Sequence, residues 1–168
     1  MQTNTIYCKN KCCKIEYIDY DESVTQGFQY NFYMNKKAGV CIYNSIRGSL
    51  LIVQSRGKLW GFPKGTVEQN EEAFGCALRE VKEETNITLH PEDLNEYVVI
   101  KNKSVYYFYN TLYEIGSIPE NAGTTENDVT GLSWIKIDCL YDLVTRNIIK
   151  LNYHTKYILK NSLNLNCC

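Results

Sequence analysis

The sequence lacks the features of a membrane protein and of a protein that coats nucleic acid. It contains no apolar run approaching about 18 residues, the length that a membrane-spanning helix needs. Lysine and arginine number 18 against 19 aspartates and glutamates, so no excess of positive charge is present for bulk binding to nucleic acid. The first residues lack a basic segment followed by an apolar stretch, and we expect no secretory leader. These absences predict a cytoplasmic protein with no membrane contact and no DNA partner.

The length and composition predict one compact domain. The chain has 168 residues, of which 44% are hydrophobic and 22% charged, as in ordinary globular proteins. We assign residues 1–168 to this domain, with an N-terminal extension over 1–30 that contains at most one strand. Residues 138–168 form a predicted C-terminal helical segment. Nothing in the sequence predicts the oligomeric state.

Short apolar runs separated by polar turns predict a mixed sheet with one central helix. The helix runs from about Glu71 to Thr85, with Asn70 as the expected N-cap. Glycine and proline interrupt the aromatic residues of Leu59–Gly65, which disfavours a regular helix or a central strand there. The pattern predicts an α/β (α+β) fold, a sandwich built on a central mixed sheet. The predicted strands are Ala38–Tyr43, Leu50–Gln54, Tyr97–Ile100, Val105–Tyr113 and Leu132–Ile137.

Eight cysteines are many for this length, and most lie near the two ends of the chain. Cys41 and Cys76 lie within apolar segments and are interpreted as small buried hydrophobic residues. The clusters near the two ends would bind zinc only if those ends met in space, and no CxxC pair supports such a site. We therefore expect ordinary reduced thiols. The clustered cysteines are Cys8, Cys12, Cys13, Cys167 and Cys168, and Cys139 is isolated.

Three glutamates on the central helix are not explained by helix stability. Glu80, Glu83 and Glu84 are three and four residues apart and share one flank of the apolar stripe. Like charges at this spacing repel each other, and the helix dipole disfavours anions in the C-terminal half. A divalent cation such as Mg²⁺ would explain them, because it prefers oxygen ligands and is often shared between carboxylates and substrate phosphates. A solvated acidic face is the alternative.

The surrounding residues resemble the Nudix box. Gly65 is followed after five residues by Glu71 and after seven more by Arg79-Glu80-Val81-Lys82-Glu83-Glu84-Thr85-Asn86-Ile87. Every specified position of that motif fits except one, since Asn86 stands where the family has glycine. Asparagine is the residue next best suited to the left-handed conformation at a helix end, so the departure is mild.

The resemblance implies a Nudix-like α/β/α sandwich that hydrolyses a nucleoside diphosphate linked to another group, with Mg²⁺ or Mn²⁺. Carried over position by position, Glu80 and Glu84 correspond to metal ligands, and Glu83 to a ligand or to the base for the attacking water. The carbonyl of Lys64 corresponds to a further metal ligand. Glu71 and Arg79 correspond to an orienting ion pair.

A further catalytic carboxylate is expected from the loop before the last strand, as in many members of the family. Two candidates lie there, Glu126 and Asp128. Asp128 has the expected spacing, whereas Glu126 has the commoner side chain, and we favour Glu126.

The segment Trp60–Gly65 resembles the corresponding segment of mRNA-decapping enzymes, so capped RNA is the first substrate prediction. The cap base would need an aromatic surface, and the RNA phosphates would need basic residues. Candidate substrate-binding residues are Trp60, Lys64, Lys58 and Arg56. Other aromatic and basic candidates are Tyr30, Phe32, Tyr106, Tyr107, Phe108, Lys36, Lys37, Arg47, Lys150, Lys156 and Lys160.

The sequence leaves three alternatives open. The second substrate prediction is a dinucleoside polyphosphate, and the third is a diphosphoinositol polyphosphate. The non-enzyme alternative is a Nudix-fold module that senses a nucleotide without cleaving it, and such modules usually lack one or more carboxylates of the box. All four glutamates are present here.

Overall fold

The computed structural model describes residues 3–19, 36–55, 58–94, 96–124 and 126–162. The candidates Tyr30, Phe32 and Arg56 and the cysteines Cys167 and Cys168 lie outside these ranges. The strands are β1 Thr3–Tyr7, β2 Lys14–Ile18, β3 Lys37–Asn44, β4 Ser49–Ser55, β5 Leu59–Gly61, β6 Lys64–Thr66, β7 Glu96–Ile100, β8 Ser104–Asn110, β9 Gly131–Lys136 and β10 Lys150–Leu151. The helices are α1 Ala73–Thr85, α2 Ile137–Thr145 and α3 Tyr153–Asn161, with a 3-10 turn at Pro91–Asp93.

One mixed sheet organises the fold, with the strand order β1-β2-β9-β4-β3-β8-β7. The β3–β8 pair is parallel, whereas β3–β4 and β4–β9 are antiparallel. The short strands β5 and β6 pair with β4 and β3, and β10 runs parallel to β5. The segment that contains Phe62 and Pro63 thus lies between two short strands at the margin of the sheet.

Helices cover both faces of the sheet. Alternate residues of β3 point to opposite faces, so Val40 packs on the α1 side and Cys41 on the side of α2 and α3. The predicted α/β/α sandwich is therefore confirmed. Within the described ranges, none of the helices is both long and apolar enough to cross a bilayer.

Helix α1 begins two residues later than predicted. Asn70 has a φ of 67°, a left-handed conformation, whereas an N-cap residue is extended. The extended residue before the helix is Glu72. The end of the helix is as predicted, because Thr85 is its last residue and Asn86 follows with a φ of 60°. The Asn86 amide donates to the Lys82 carbonyl, as in an ordinary left-handed helix cap.

The two ends of the chain differ most from prediction. The N-terminal extension contains two strands rather than at most one, since β1 and β2 form a hairpin whose second strand pairs with β9. Because alternate side chains of β1 are exposed, its sequence contains no apolar run from which a strand could be predicted. The C-terminal segment is two helices rather than one, because Asn147 adopts a φ of 55° and β10 intervenes.

Helix α3 allows a direct test of its N-terminus. The Asn152 side chain accepts a hydrogen bond from the Thr155 amide at 2.9 Å and caps the helix. Replacing Asn152 with alanine should lower the free energy of unfolding by about 1 kcal/mol, because this amide loses its partner. Asn152→Asp keeps an oxygen acceptor, so its free energy of unfolding, measured in urea, should fall by less than half as much as that of Asn152→Ala. Equal losses in the two variants would contradict the capping role.

Candidate active site

The C-terminal half of α1 forms one wall of an acidic cleft. Ala77 and Val81 are fully buried against the sheet, and this packing turns the glutamate flank of the helix outward. The cleft has a volume of about 550 Å³ and brings the box residues together with the loop before β9. Its lining residues include Arg79, Glu80, Glu83, Glu84, Asn127, Glu126 and Asp128.

Glu84 is the most deeply buried of the three helix glutamates, with 6% of its surface exposed. Its Oε2 accepts a hydrogen bond from the Lys64 amide at 2.8 Å. Burial raises the pKa of this carboxyl to about 8; the charge and the backbone amide of Lys64 oppose this shift, whereas the charges of Glu80 and Asp128 add to it. A carboxylate in this position needs a compensating positive charge to remain ionised at neutral pH.

Gly65 leaves room for the Glu80 carboxylate. A Cβ atom on Gly65 would overlap the Glu80 carboxyl group, so the absence of a side chain lets β6 and α1 approach at this point. Burial raises the pKa of Glu80 and the Arg79 charge opposes that shift. The glycine that opens the motif is therefore explained by close packing against the first of the three carboxylates.

Arg79 holds the acidic residues in place. Its guanidinium contacts both oxygens of Glu71 at 2.9 and 3.0 Å and also binds Glu80 at 2.8 Å and Glu83 at 2.9 Å. The hydrogen bonds from Arg79 lower the pKa of Glu71 to about 2. The ion pair expected from the motif is thus present, and the same arginine reaches two of the three clustered glutamates.

The loop before β9 is fastened to the end of α1 by Asn127, a residue to which the sequence assigned no role. Its buried side chain donates to the Glu83 carbonyl at 2.8 Å and to Asn121 at 3.1 Å, and accepts from the Val129 amide at 3.1 Å. No periodicity in a single sequence marks such a residue. By fixing the loop, Asn127 carries its two neighbours Glu126 and Asp128 to the cleft.

The two loop carboxylates are not equivalent. Glu126 is exposed, whereas Asp128 is half-buried. The charge of Asp128 contributes to the raised pKa of Glu84 and opposes the lowered pKa of Lys37. Asp128 is therefore electrostatically coupled to the buried part of the cluster.

Positive charge lies beside this acidic cluster. Burial lowers the pKa of Lys37, and the charge of Lys64 lowers it further. Burial lowers the pKa of His154 to about 4, and Lys64, Lys37 and Lys101 add to the shift. His154 Nδ1 lies 2.9 Å from the hydroxyl of the buried Tyr106.

The predicted substrate-binding residues fall into different environments. Trp60 is 1% exposed and belongs to the core on the α2 side, so its ring is not available for stacking on a base and that prediction is wrong. The physical reason is that β5 places the indole against Gly131 of β9. Lys58 is exposed, and Arg56 lies outside the described residues. Arg47 is paired with Glu114 at 3.2 Å.

Comparison with known proteins decides the family. The profile of the NUDIX domain matches residues 35–153, which is well over half of the chain. The chain belongs to the NUDIX domain family. The match spans β3 to the start of α3 and includes every residue that lines the acidic cleft. The predicted family and the predicted enzyme class, a Nudix pyrophosphohydrolase, are therefore confirmed.

Curated relatives of this Nudix chain include a viral hydrolase and decapping enzymes. Protein 111R of Invertebrate iridescent virus 3, which carries the name of a hydrolase, is 28% identical over 142 residues that cover 83% of this chain and 82% of its own. The mRNA-decapping enzyme subunit 2 of Arabidopsis thaliana is 30% identical over 98 residues, 54% of this chain and 25% of its own. The chain therefore matches only a quarter of the length of that decapping enzyme.

Solved structures support the fold. A MutT Nudix hydrolase from Burkholderia pseudomallei superimposes with a TM-score of 0.53 at 22% identity, covering 76% of this chain and 97% of that one. At this identity the likeness establishes the shared architecture alone.

The ion pair between Glu71 and Arg79 should stabilise the protein in a defined pH range. Glu71→Gln should lower the free energy of unfolding at neutral pH by about 1 to 2 kcal/mol, because charge-assisted hydrogen bonds of a partly exposed pair are lost. The folded-state pKa of Glu71 is about 2, below its usual 4.5, so this stabilisation is complete above about pH 4.5 and declines as the pH falls toward 2. In urea unfolding, the difference in free energy of unfolding between the wild type and Glu71→Gln should be smaller at about pH 3.5 than at pH 7.

Glu68→Gln is the matched control for this pair. Glu68 is 69% exposed and its carboxylate lies 3.9 Å from Arg79, so its replacement should change stability by less than about 0.5 kcal/mol. If Glu68→Gln lost as much stability as Glu71→Gln, the overall negative charge around Arg79, rather than its specific pair with Glu71, would stabilise the site.

Proposed function

We propose that this Nudix chain hydrolyses a phosphoric anhydride bond in a nucleoside-diphosphate-linked substrate, and that the substrate is the 5′ cap of mRNA. The observation that carries the hydrolytic part is the cleft in which the helix glutamates and two loop carboxylates face each other. Repulsion among these groups is costly unless a cation and phosphates occupy the space between them.

The donor set fits Mg²⁺ or Mn²⁺. Glu80, Glu84, Glu83 and the Lys64 carbonyl would hold the ion, and all of them offer the hard oxygen ligands that these cations prefer. Glu84 is buried beside two further acidic side chains, and burial raises its pKa to about 8, so an ion would stabilise its charged form. When bound, such a cation neutralises phosphate charge and lowers the pKa of water.

The other side chains of the cleft position the carboxylates and accept a proton. Arg79 orients the carboxylates of Glu80 and Glu83 while Glu71 holds Arg79 from the other side. Glu83 is 53% exposed, so it can receive the proton of an attacking water in the open part of the cleft. Asn127 holds the loop in position through the Glu83 carbonyl.

Three observations support capped RNA as the substrate. The first is the similarity to decapping enzymes over 54% of the chain. The second is the positive charge of Lys37 and Lys64, which is coupled to the carboxylates of the cleft and can neutralise substrate phosphates. The third is a pair of exposed lysines on α3, Lys156 and Lys160, which lie one turn apart and would contact RNA phosphates in the proposed complex. In the proposed reaction, water attacks the cap triphosphate and releases a methylated guanosine diphosphate and an RNA with a 5′ monophosphate.

Replacement of Glu84 tests the proposed reaction. Glu84→Gln should reduce Mg²⁺-dependent release of methylated guanosine diphosphate from capped RNA by at least about 100-fold, more than the loss of an outer metal partner usually costs. Glu92→Gln, on the exposed 3-10 turn, changes the same charge away from the cleft and should retain activity. Equal turnover by the two variants would overturn the assignment of the cleft.

A substrate panel separates decapping from the other substrate classes. The panel compares turnover of four substrates, first in the presence of Mg²⁺ and then of Mn²⁺. The substrates are capped RNA, a dinucleoside polyphosphate, a nucleotide sugar and an inositol pyrophosphate. The proposal expects the highest kcat/KM for capped RNA. Rapid cleavage of diadenosine tetraphosphate with inert capped RNA would overturn the substrate while keeping the hydrolase. Tight nucleotide binding without any turnover would identify a sensing module.

The two loop carboxylates can be distinguished by paired variants. Because Asp128 is half-buried and coupled to Glu84, Asp128→Asn should lower kcat by about 10- to 100-fold, as loss of a supporting carboxylate does. Glu126→Gln should lower it by less than about 3-fold, since that side chain is exposed. The opposite order in kcat would restore Glu126 as the favoured residue.

A further inference from the structure

Four cysteines from distant parts of the chain meet on the other side of the sheet. Cys8, Cys12 and Cys13 lie between β1 and β2, and Cys139 lies in the first turn of α2. Their four Sγ atoms all lie within 4.8 Å of one another. The Cys12 sulfur is 3.5 Å from that of Cys8 and 3.3 Å from that of Cys139. We call these residues the thiol cluster.

The connection between β1 and β2 is folded so that it presents three sulfurs to one point. The Cys8 amide donates to the Cys13 carbonyl at 3.1 Å, and the Lys11 amide donates back to the Cys8 carbonyl at 2.9 Å. Lys11 has a φ of 55°, which turns the chain sharply between the first and second cysteines. This tight backbone turn directs the three thiols of the connection toward one another.

Backbone amides point at two of the sulfurs. The Cys13 amide donates to Cys8 Sγ at 3.3 Å, and the Lys136 amide donates to Cys13 Sγ at 3.4 Å. Amide donors to sulfur stabilise the thiolate, which is the form that binds metal, and they orient it as outer partners do in metal sites. Cys8, Cys13 and Cys139 are buried, whereas Cys12 is exposed and leaves an entry path.

The dimensions match a single tetrahedral ion. A Zn–S bond of about 2.3 Å places the sulfurs of a tetrahedral site about 3.8 Å apart, which lies between the 3.3 Å contact of Cys12 with Cys139 and the 4.8 Å within which all four sulfurs fall. Four thiolates without a nitrogen or oxygen ligand favour a soft or borderline ion over Mg²⁺. We propose that Cys8, Cys12, Cys13 and Cys139 bind one structural Zn²⁺ ion, with each thiol proton released to solvent.

This site would join the N-terminal hairpin to the body of the domain. Cys8 and Cys139 are far apart in sequence, so an ion between them closes a long loop and restricts the unfolded chain. Three of the four cysteines belong to the core on the α2 side, whereas α1 with its carboxylates covers the opposite face. The zinc would thus be distinct from the cation of the acidic cleft.

Metal content of the full-length protein tests the proposal. Protein produced with zinc under reducing conditions should contain about one zinc ion per chain by mass spectrometry of the metal. Cys12→Ser, Cys139→Ser and the double variant should lose most of it. Cys41→Ala removes a buried cysteine outside the cluster and should keep the ion, as should Glu84→Gln, which disables the acidic cleft. Cys12 is exposed, so its variant tests binding without disturbing the core.

Two further measurements do not depend on any variant. Cobalt should bind the apoprotein with the intense visible spectrum of a tetrahedral thiolate site, and zinc should displace it. Removal of zinc by a chelator should lower Tm by at least about 5 °C, because the binding free energy contributes to folding. Four outcomes would each overturn the proposal. Two concern the metal: the reconstituted protein contains no zinc, or it contains iron instead. The other two are a Cys12–Cys139 disulfide in the freshly purified protein and zinc retained by the double variant.

Discussion

Mutual repulsion among carboxylates is the constraint on which the acidic cleft depends. Glu80, Glu83 and Glu84 occupy adjacent positions on one helix, and the loop before β9 adds Asp128. Arg79 offsets part of this charge through contacts with Glu71, Glu80 and Glu83. Glu84 accepts a hydrogen bond from the Lys64 amide and is also stabilised by the Lys64 charge, yet its burial raises its pKa to about 8. A folded arrangement of this kind is costly by itself and becomes favourable when a cation is bound.

The sheet separates two different kinds of chemistry. On one face, α1 presents hard oxygen donors to an open cleft, and the tight approach of Gly65 to Glu80 sets their position. On the other face, the N-terminal hairpin and α2 bring four sulfur donors together, three of them buried in the core and that of Cys12 exposed. The two donor sets favour different ions, since oxygen ligands suit Mg²⁺ or Mn²⁺ and thiolates suit a softer ion such as Zn²⁺. The proposed zinc site would give the N-terminal hairpin a structural role in a fold whose family match begins at residue 35.

Much of the fold could be predicted because its signals are local. The spacing of Ala77 and Val81 indicated the buried stripe of α1, and Asn86 adopts the left-handed conformation that its position demanded. The start of α1 was misplaced because Asn70 is a good capping residue by type, yet here it is in a left-handed turn. The hairpin of β1 and β2 escaped prediction because an edge strand with alternate exposed side chains resembles a loop in sequence.

The sequence by itself determined which groups are candidates for catalysis and how those on α1 are spaced, because a helix makes neighbours of residues three and four positions apart. Tertiary structure alone decided which distant residues join them. It buried Trp60 in the core, brought Asp128 near Glu84 through the anchor of Asn127, and carried Cys139 to the cysteines of the first hairpin. Such contacts depend on the register of the sheet and the packing of helices on its two faces, and no local pattern of residues encodes them.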